Sequence, residues 1–281
     1  MSERIVTYEP DNSIKKGYFA MFTEIFSEIK RNRWLTWQIF KRDFFGAYKQ
    51  SIVGLLWIFI VPIVSVATFI LLNGAGIFSF GTITVPYPIY AVMGIALWQL
   101  FAAGVVGCGG SLVGAGGLLT QINFSKKSLA LASMAKAIVS FLILMALITA
   151  LFIYYLFTPH WGILLLPVFI VPLILLALGL GFVLAIFNSI VRDVGTAMTM
   201  MLSFFMFLTP VLYARPTGGL LGALTKYNPL YYLVAVPRDF MLTGVFSHWL
   251  GYAVSLAIAL VAFFAGLIVF HQTETRITER I

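Results

Sequence analysis

Long apolar runs dominate this chain and are separated by short polar segments. The sharpest boundary lies near residue 50: Lys41, Arg42, Asp43 and Lys49 precede it, whereas residues 50–125 contain no Asp, Glu, Lys or Arg. A helix that crosses a bilayer needs about 20 consecutive apolar residues. The pattern predicts six such spans, at residues 53–73, 87–108, 129–157, 162–187, 195–214 and 249–270.

The segment before the first span has a different pattern. Across residues 19–50, apolar and aromatic residues recur every three or four positions, with charged residues between them. A charged face opposite an aromatic face is typical of a helix lying in the membrane plane. We therefore expect an all-α polytopic membrane protein in two parts. Residues 1–50 would be a cytoplasmic N-terminus with an amphipathic interfacial helix and no signal peptide, and residues 51–281 a six-helix transmembrane domain.

Two segments are not simple spans or loops. Between residues 104 and 117, seven of fourteen residues are glycine, which indicates either a tightly packed or frayed helix end, or a hinge. Residues 217–247 are apolar but interrupted by Pro and Gly. Irregular backbone at membrane depth must be buried in protein or line a wet cavity. We expect half-helices at residues 220–226 and 230–242, forming a re-entrant hairpin at the outer face. An amphipathic loop on the outer surface is the alternative.

The composition supports a membrane protein and the charges predict its orientation. Of 281 residues, 61% are hydrophobic and 10% are charged. The net charge of +8 lies in short segments between apolar runs, where it sets topology rather than attracting nucleic acid. With the N-terminus inside, Arg215, Lys226 and Arg238 fall outside and the other fifteen of the 18 Lys and Arg fall inside. We expect a multi-pass inner (plasma) membrane protein with both termini in the cytoplasm.

The sequence contains none of the catalytic motifs that would make it an enzyme. No Gly-x-x-x-x-Gly-Lys-Ser/Thr phosphate loop occurs, and neither does His-Glu-x-x-His, Cys-x-x-Cys or Gly-x-Ser-x-Gly. The predicted spans carry no carboxylate for a proton relay. We therefore expect no catalytic residue, no metal site and no cofactor in this chain, which would be a passive conduit driven by another protein.

Three segments together resemble a known family. They are Arg42-Asp43-x4-Tyr48-Lys49-Gln50-Ser51-x2-Gly54-x2-Trp57-x4-Pro62, then Arg192-Asp193 followed by FLTPVLY at residues 207–213, then Tyr227-Asn228-Pro229-Leu230 followed by Arg238. In this order they resemble the membrane subunits of type-2 ABC exporters, closest to the polysaccharide branch that moves lipid-linked O-antigen, capsule or teichoic acid. FSKK at residues 124–127 departs from the Phe-Pro-Arg-type turn often found in relatives at the loop between the second and third spans.

The resemblance implies a homodimer of this chain with two separate ATP-binding subunits, which would hold ATP and Mg. It also implies that the amphipathic helix and the loop between the second and third spans touch those subunits. The substrate would be a lipid-linked polysaccharide such as the O-antigen of lipopolysaccharide. The candidate partner-contact or gating residues are Arg192, Asp193, Lys126, Lys127, Tyr227, Asn228, Pro229 and Arg238.

Residue chemistry suggests where a lipid-linked glycan would bind. Its phosphate or pyrophosphate can be captured by cations at head-group depth. We expect this entrance at Lys41, Arg42, Tyr48 and Lys49; ordinary positive-inside anchoring is the alternative. Aromatic rings, which pack on sugar faces without fixed hydrogen bonds, are expected along the path unless they pack against helices or lipid. The path candidates are Trp57, Phe59, Tyr90, Trp98, Phe101, Phe204, Phe205 and Tyr213.

Two other functions fit parts of the pattern. An exporter of teichoic acid, a drug or another small lipophile is the nearer alternative. The large aromatic content and the Tyr-Lys-Gln-Ser segment disfavour a drug. A membrane-embedded transferase acting on polyprenyl-linked sugars belongs to a different class, and the lack of acids or metal ligands within the spans argues against it.

Overall fold

The computed structural model describes residues 18–49, 52–76, 81, 83–116, 124–215 and 218–277. Within those residues every regular secondary-structure element is an α-helix or a 3-10 helix. The α-helices are α1 (Tyr18–Arg31), α2 (Arg33–Lys49), α3 (Trp57–Gly74), α4 (Tyr87–Ala115), α5 (Lys127–Tyr154), α6 (Leu166–Phe169), α7 (Val171–Ile190), α8 (Asp193–Leu208), α9 (Gly219–Tyr227), α10 (Pro229–Thr243) and α11 (Trp249–Ile277). Short 3-10 helices, Gly54–Leu56 and Trp161–Leu165, precede α3 and α6.

Five helical segments are long and apolar enough to cross a membrane. They are Gly54–Gly74, Tyr87–Ala115, Lys127–Tyr154, Trp161–Ile190 and Trp249–Thr273. The apolar helix α8 has 16 residues, about 24 Å at 1.5 Å per residue, whereas the hydrocarbon core is about 30 Å thick. The predicted all-α, multi-pass class is confirmed, and the count of six spans stays a prediction.

The helix of the fifth predicted span, residues 195–214, ends earlier than expected, at Leu208. Thr209 has extended backbone, with φ −99° and ψ 122°. This is the conformation that a residue before proline adopts, because the ring of Pro210 disfavours the helical one. Residues 209–213 therefore leave the helix although they remain buried.

Helix α4 forms the centre of the bundle, with most of its side chains buried. It packs along α5 and α7, and α11 packs along α7. Gly104 and Gly109 of α4 lie directly against Met134 of α5 and Leu184 of α7. The glycine-rich run therefore continues α4 as far as Ala115, with part of its glycine packed tightly against the neighbouring helices.

Helices α3 and α8 are the most exposed of the long apolar helices. In α3 only Pro62 and Val66 are buried, and in α8 only Leu202 is buried. The two helices meet where the ring centroids of Phe69 and Phe207 lie 6.4 Å apart. The two helices touch at this ring contact, and the described part of the chain leaves their exposed apolar faces uncovered.

The predicted amphipathic segment, residues 19–50, forms two helices, α1 and α2. Ile25 of α1 and Phe40 and Phe44 of α2 are buried, whereas Trp34 and Trp37 of α2 are exposed. The buried face of α2 packs along α5. Each helix thus has one face on the bundle and another away from it, and their position in the membrane interface stays a prediction.

Helices α9 and α10 lie at the predicted half-helices of the outer hairpin. They meet at Asn228, whose side-chain Oδ1 accepts a hydrogen bond from Leu230 N (3.0 Å) and so caps α10. Proline suits the first position of a helix because its missing N–H would have no partner there, and Pro229 holds that position. Re-entry of this pair into the membrane stays a prediction.

Candidate functional site

A glycine-walled cavity of about 690 Å³ opens between α2, α4 and α5. Its glycines are Gly46 of α2 and Gly107, Gly110 and Gly114 of α4. A methyl group added at Gly46, Gly110 or Gly114 would meet no atom within 4 Å, so these positions do not need glycine for helix packing. The missing side chains instead keep the cavity wide along one side of α4.

The charged side chains that line the cavity are one ion pair and one further lysine. Arg42 Nη2 lies 2.8 Å from Asp43 Oδ1, and both residues line the cavity. Lys136 of α5 lines it as well and is half-buried. Within the described residues, the ion pairs do not include Lys136. Because Arg42 and Asp43 neutralise each other, the net positive charge of the cavity comes from Lys136.

Lys136 lies deep along its helix. It is nine residues after Lys127, the first residue of α5, which corresponds to about 14 Å along the axis. A lysine inside a span is costly unless it faces polar protein groups or water. Ser133 and Ser140, three residues before it and four after, line the same cavity and supply hydroxyl groups. This wall of α5 can therefore bind an anionic group.

The predicted entrance residues are not all at this cavity. Arg42 lines it, whereas Lys41 Nζ lies 5.2 Å from the centroid of the Trp37 ring and Lys49 is exposed at the end of α2. The side chain of Tyr48 lies outside the described residues. Sequence reasoning did not place Lys136 at the entrance. The available signal was a lysine within an apolar helix, flanked by serines at helical spacing.

Lys127 and Glu28 form a buried ion pair between α5 and α1. Lys127 Nζ lies 2.9 Å from Glu28 Oε2, and the exposed fractions of the two side chains are 1% and 11%. The neighbouring Lys126 is also buried. Lys127, predicted to contact a partner, therefore attaches the N-terminal helix to the bundle in this chain. Contact of either lysine with a partner stays a prediction.

Arg192 and Asp193 are exposed at the turn between α7 and α8. The buried residue beside them is Asn188, which sequence reasoning missed. Its Nδ2 donates a hydrogen bond to Gly109 O of α4 (3.1 Å), and its Oδ1 accepts one from Gly195 N of α8 (3.0 Å). Asn188 thus joins three helices, and an isolated amide near the end of an apolar span was the signal for it.

At the other end of the bundle, Arg238 of α10 stabilises the segment that follows α8. Its side chain is 2% exposed. Nη1 donates to Val211 O (2.8 Å), Nε donates to Asp239 Oδ1 (3.0 Å), and the guanidinium carbon lies 3.7 Å from the centroid of the Tyr90 ring. A non-helical segment in apolar surroundings needs such partners, because its carbonyls lack helical donors.

Further side chains bind the same non-helical segment. Tyr90 Oη donates to Tyr213 O (3.2 Å), and Asn228 Nδ2 donates to Thr209 Oγ1 (2.9 Å). A side chain at Gly94 of α4 would clash with the carbonyl of residue 211, so glycine allows the close approach. Arg238 and Asn228, two predicted gating residues, are therefore structural partners of residues 209–213. Pro229 begins α10, and Tyr227 is exposed at the end of α9.

The eight aromatic path candidates divide into two groups. Those buried among helices of the same chain are Tyr90, Trp98, Phe101 and Tyr213. Those with exposed side chains are Trp57 at the start of α3 and Phe204 and Phe205 on α8, while Phe59 is half-buried. A ring must present a face to stack on a sugar, so the exposed group has the required access. The path itself stays a prediction.

These features define an all-helical, multi-pass membrane protein with a cationic cavity inside its bundle. Residues 35–242 match the family described as ABC-2 type transporter, and the chain belongs to that family. The match runs from α2 to α10 and so includes the cavity and Arg238. The predicted type-2 ABC permease is confirmed, and this family forms the transmembrane conduit of an ABC transporter, which implies an ATP-binding partner subunit.

One curated relative is a polysaccharide exporter component. The chain is 24% identical over 224 residues to the O-antigen export system permease protein RfbA of Myxococcus xanthus. The alignment covers 75% of this chain and 85% of that protein. This similarity supports the polysaccharide branch of the family.

Proposed function

We propose that this chain is the transmembrane subunit of an ATP-driven exporter that moves a lipid-linked polysaccharide, of the O-antigen kind, to the outer side of the inner membrane. Two copies of the chain assemble with two ATP-binding subunits, which hold ATP and Mg. The family match and the relative named for O-antigen export support the exporter class. The observation that carries the substrate class is the cationic cavity between α2, α4 and α5.

The cavity suits the phosphate or pyrophosphate that joins lipid to sugar. Arg42 directs Nε and Nη2 to Asp43, each at 2.8 Å, which leaves Lys136 as the principal anion ligand. Electrostatic attraction at Lys136 is stronger than in bulk water, because the half-buried site has a lower effective dielectric constant. The glycine wall leaves room for the sugars next to the phosphate.

The exposed faces of α3 and α8 support assembly of two copies around a path. Thr68 of α3 and Thr199 and Ser203 of α8 are exposed, and each hydroxyl donates to a carbonyl four residues earlier in its own helix. Hydroxyl and small residues are enriched where membrane helices meet. A second copy against this face would also bring the exposed Phe204 and Phe205 to the boundary between copies.

The orientation follows from the charges. The end of the bundle with Lys126, Lys127 and Arg192 faces the cytoplasm, because short cytoplasmic loops carry the excess of Lys and Arg. The ATP-binding subunits bind there, near the Glu28–Lys127 pair that joins α1 to α5. The α9–α10 hairpin lies at the outer end and closes the exit until the polymer arrives.

Export measurements on charge variants test this function. We expect Lys136→Gln to lower export of the lipid-linked glycan about tenfold or more, since a charge-assisted contact is worth about 1.5–3 kcal/mol. Lys136→Arg should retain most of the export. Arg33→Gln, at the exposed start of α2, is the matched control and should export normally.

The readout is surface glycan in cells that depend on this permease, normalised to permease in the membrane. Full export by Lys136→Gln at normal membrane levels would refute the role of the cavity. Equal transport of a neutral lipophile by wild type and Lys136→Gln, without glycan export by either, would identify the small-lipophile alternative.

A further inference from the structure

A second polar pocket, of about 270 Å³, lies at the end of the bundle opposite Lys126 and Lys127. Four parts of the chain meet there: residues 83–85 with Tyr90 of α4, residues 214–215 after α8, helix α10 from Tyr231 to Thr243, and residues 245–248 before α11. These segments are far apart in sequence. The pocket is therefore a product of the tertiary fold: the sequence singled out Arg238 and Tyr90 of its lining, but not their meeting with Arg215 and His248.

The charges in this pocket are unequal. Asp239 Oδ1 accepts a hydrogen bond from Arg238 Nε (3.0 Å), so these two charges neutralise each other. Arg215 faces no carboxylate within salt-bridge distance among the described residues. Its Nη1 instead lies 3.5 Å from His248 Nε2, and its guanidinium carbon lies 5.4 Å from the centroid of the Tyr231 ring. The pocket thus has an excess of one positive charge.

The donors around Arg215 suit a phosphate group. A guanidinium matches the oxygen geometry of phosphate and can donate two parallel hydrogen bonds. The imidazole of His248 lies beside it, and Ser247 and Tyr231 add hydroxyl groups to the wall. One bound anion would contact Arg215 and His248 together and neutralise the excess charge.

The depth of the pocket indicates the source of that phosphate. The helices α4 and α11 begin at Tyr87 and Trp249, next to the segments that line the pocket. Val245, Trp249 and Leu250 are exposed beside it. Tryptophan and tyrosine are typical of the boundary between hydrocarbon and head groups. The pocket therefore lies at head-group depth with apolar surface beside it for acyl chains.

We propose that this pocket binds the phosphate of an anionic membrane phospholipid, with Arg215 as the principal ligand and His248 as the second. The net positive charge favours a lipid with net negative charge over a zwitterionic one. The proposal does not require glycan export, because a permease with any substrate would bind the lipid in the same way.

Lipid retention by the full-length chain tests the proposal. The chain is placed in phosphatidylcholine nanodiscs containing increasing fractions of phosphatidylglycerol, and bound lipid is counted by native mass spectrometry. We expect Arg215→Gln to weaken phosphatidylglycerol retention about tenfold or more, the effect of losing one charge-assisted contact. His248→Asn should weaken it less. Asparagine tolerates the positive φ of His248 (58°), so this variant remains folded even if Arg215→Gln does not.

Lys226→Gln is the matched control. This cation is exposed on α9, with Nζ 5.8 Å from the centroid of the Tyr227 ring, and does not line the pocket. It should retain phosphatidylglycerol like wild type. Inorganic phosphate is the probe for a soluble source, measured by thermal stabilisation of the chain.

Three results would overturn the proposal. The first is equal phosphatidylglycerol retention by wild type, Arg215→Gln and His248→Asn. The second is a loss of retention in Lys226→Gln as large as in Arg215→Gln, which would indicate unspecific charge attraction. The third is stabilisation by inorganic phosphate that needs Arg215 while phosphatidylglycerol retention does not. That outcome would assign the pocket to free phosphate.

Discussion

The substitution Arg238→Met tests the structural role of the buried arginine. It keeps much of the apolar stem and removes the hydrogen bond to Val211 O (2.8 Å), the ion pair with Asp239 (3.0 Å) and the contact with the Tyr90 ring (3.7 Å). Removing one partner of a buried ion pair costs about 3–5 kcal/mol. The Asp239 side chain is 33% exposed and keeps some hydration. We therefore expect the free energy of unfolding to fall by about 3 kcal/mol, the lower end of that range.

Thermal unfolding of the purified chain in detergent measures this loss. At about 2 °C per kcal/mol for a chain of this size, we expect Tm to fall by roughly 6 °C. Arg238→Lys should recover part of the loss, since it restores the charge but not the guanidinium geometry. The exposed Lys226→Gln is the control and should unfold like wild type. If Arg238→Met unfolds at the wild-type temperature, the guanidinium does not stabilise residues 209–213.

Two further changes test other buried contacts. Either Glu28→Leu or Lys127→Met should destabilise the fold by about 3 kcal/mol, whereas the double variant should regain most of that loss; additive losses in chemical unfolding would contradict a direct pair. Gly266→Ala should lower the free energy of unfolding by about 1–3 kcal/mol. The added methyl group would clash with the backbone of Gly179 and push α11 away from α7. The control is Gly74→Ala, because a methyl group at residue 74 would meet no atom within 4 Å. This variant should unfold no earlier than wild type. Equal Tm values for Gly266→Ala and Gly74→Ala would show that the α7–α11 crossing does not need glycine.

Much of the helical order follows from local properties of the sequence. Apolar run length identified the five long helices and the apolar segment at α8. Proline and glycine predicted the interruption around residues 228–229, where Asn228 and Pro229 separate α9 from α10. Those signals are local, because helix length and helix termination depend on residues within a few positions. The ordered motifs also resemble those of the exporter family, and the family match confirms that resemblance.

Local signals also misplaced one boundary. The apolar run through Tyr213 predicted a helix to residue 214, but Pro210 ends α8 at Leu208. The segment remains buried because Arg238 of α10 and Tyr90 of α4 donate hydrogen bonds to the carbonyls of residues 211 and 213, which lack helical donors. Hydropathy describes the burial of a segment but not the source of its backbone hydrogen bonds.

The sequence by itself determined the membrane class, the order of the helices and the family. Only the tertiary structure decided that Lys136 shares a cavity with Arg42, that Lys127 pairs with Glu28, and that Arg215 lies beside His248. The physical reason is distance along the chain. Hydrophobic patterning selects which face of a helix is buried, whereas the packing of one helix against another decides which distant charges meet.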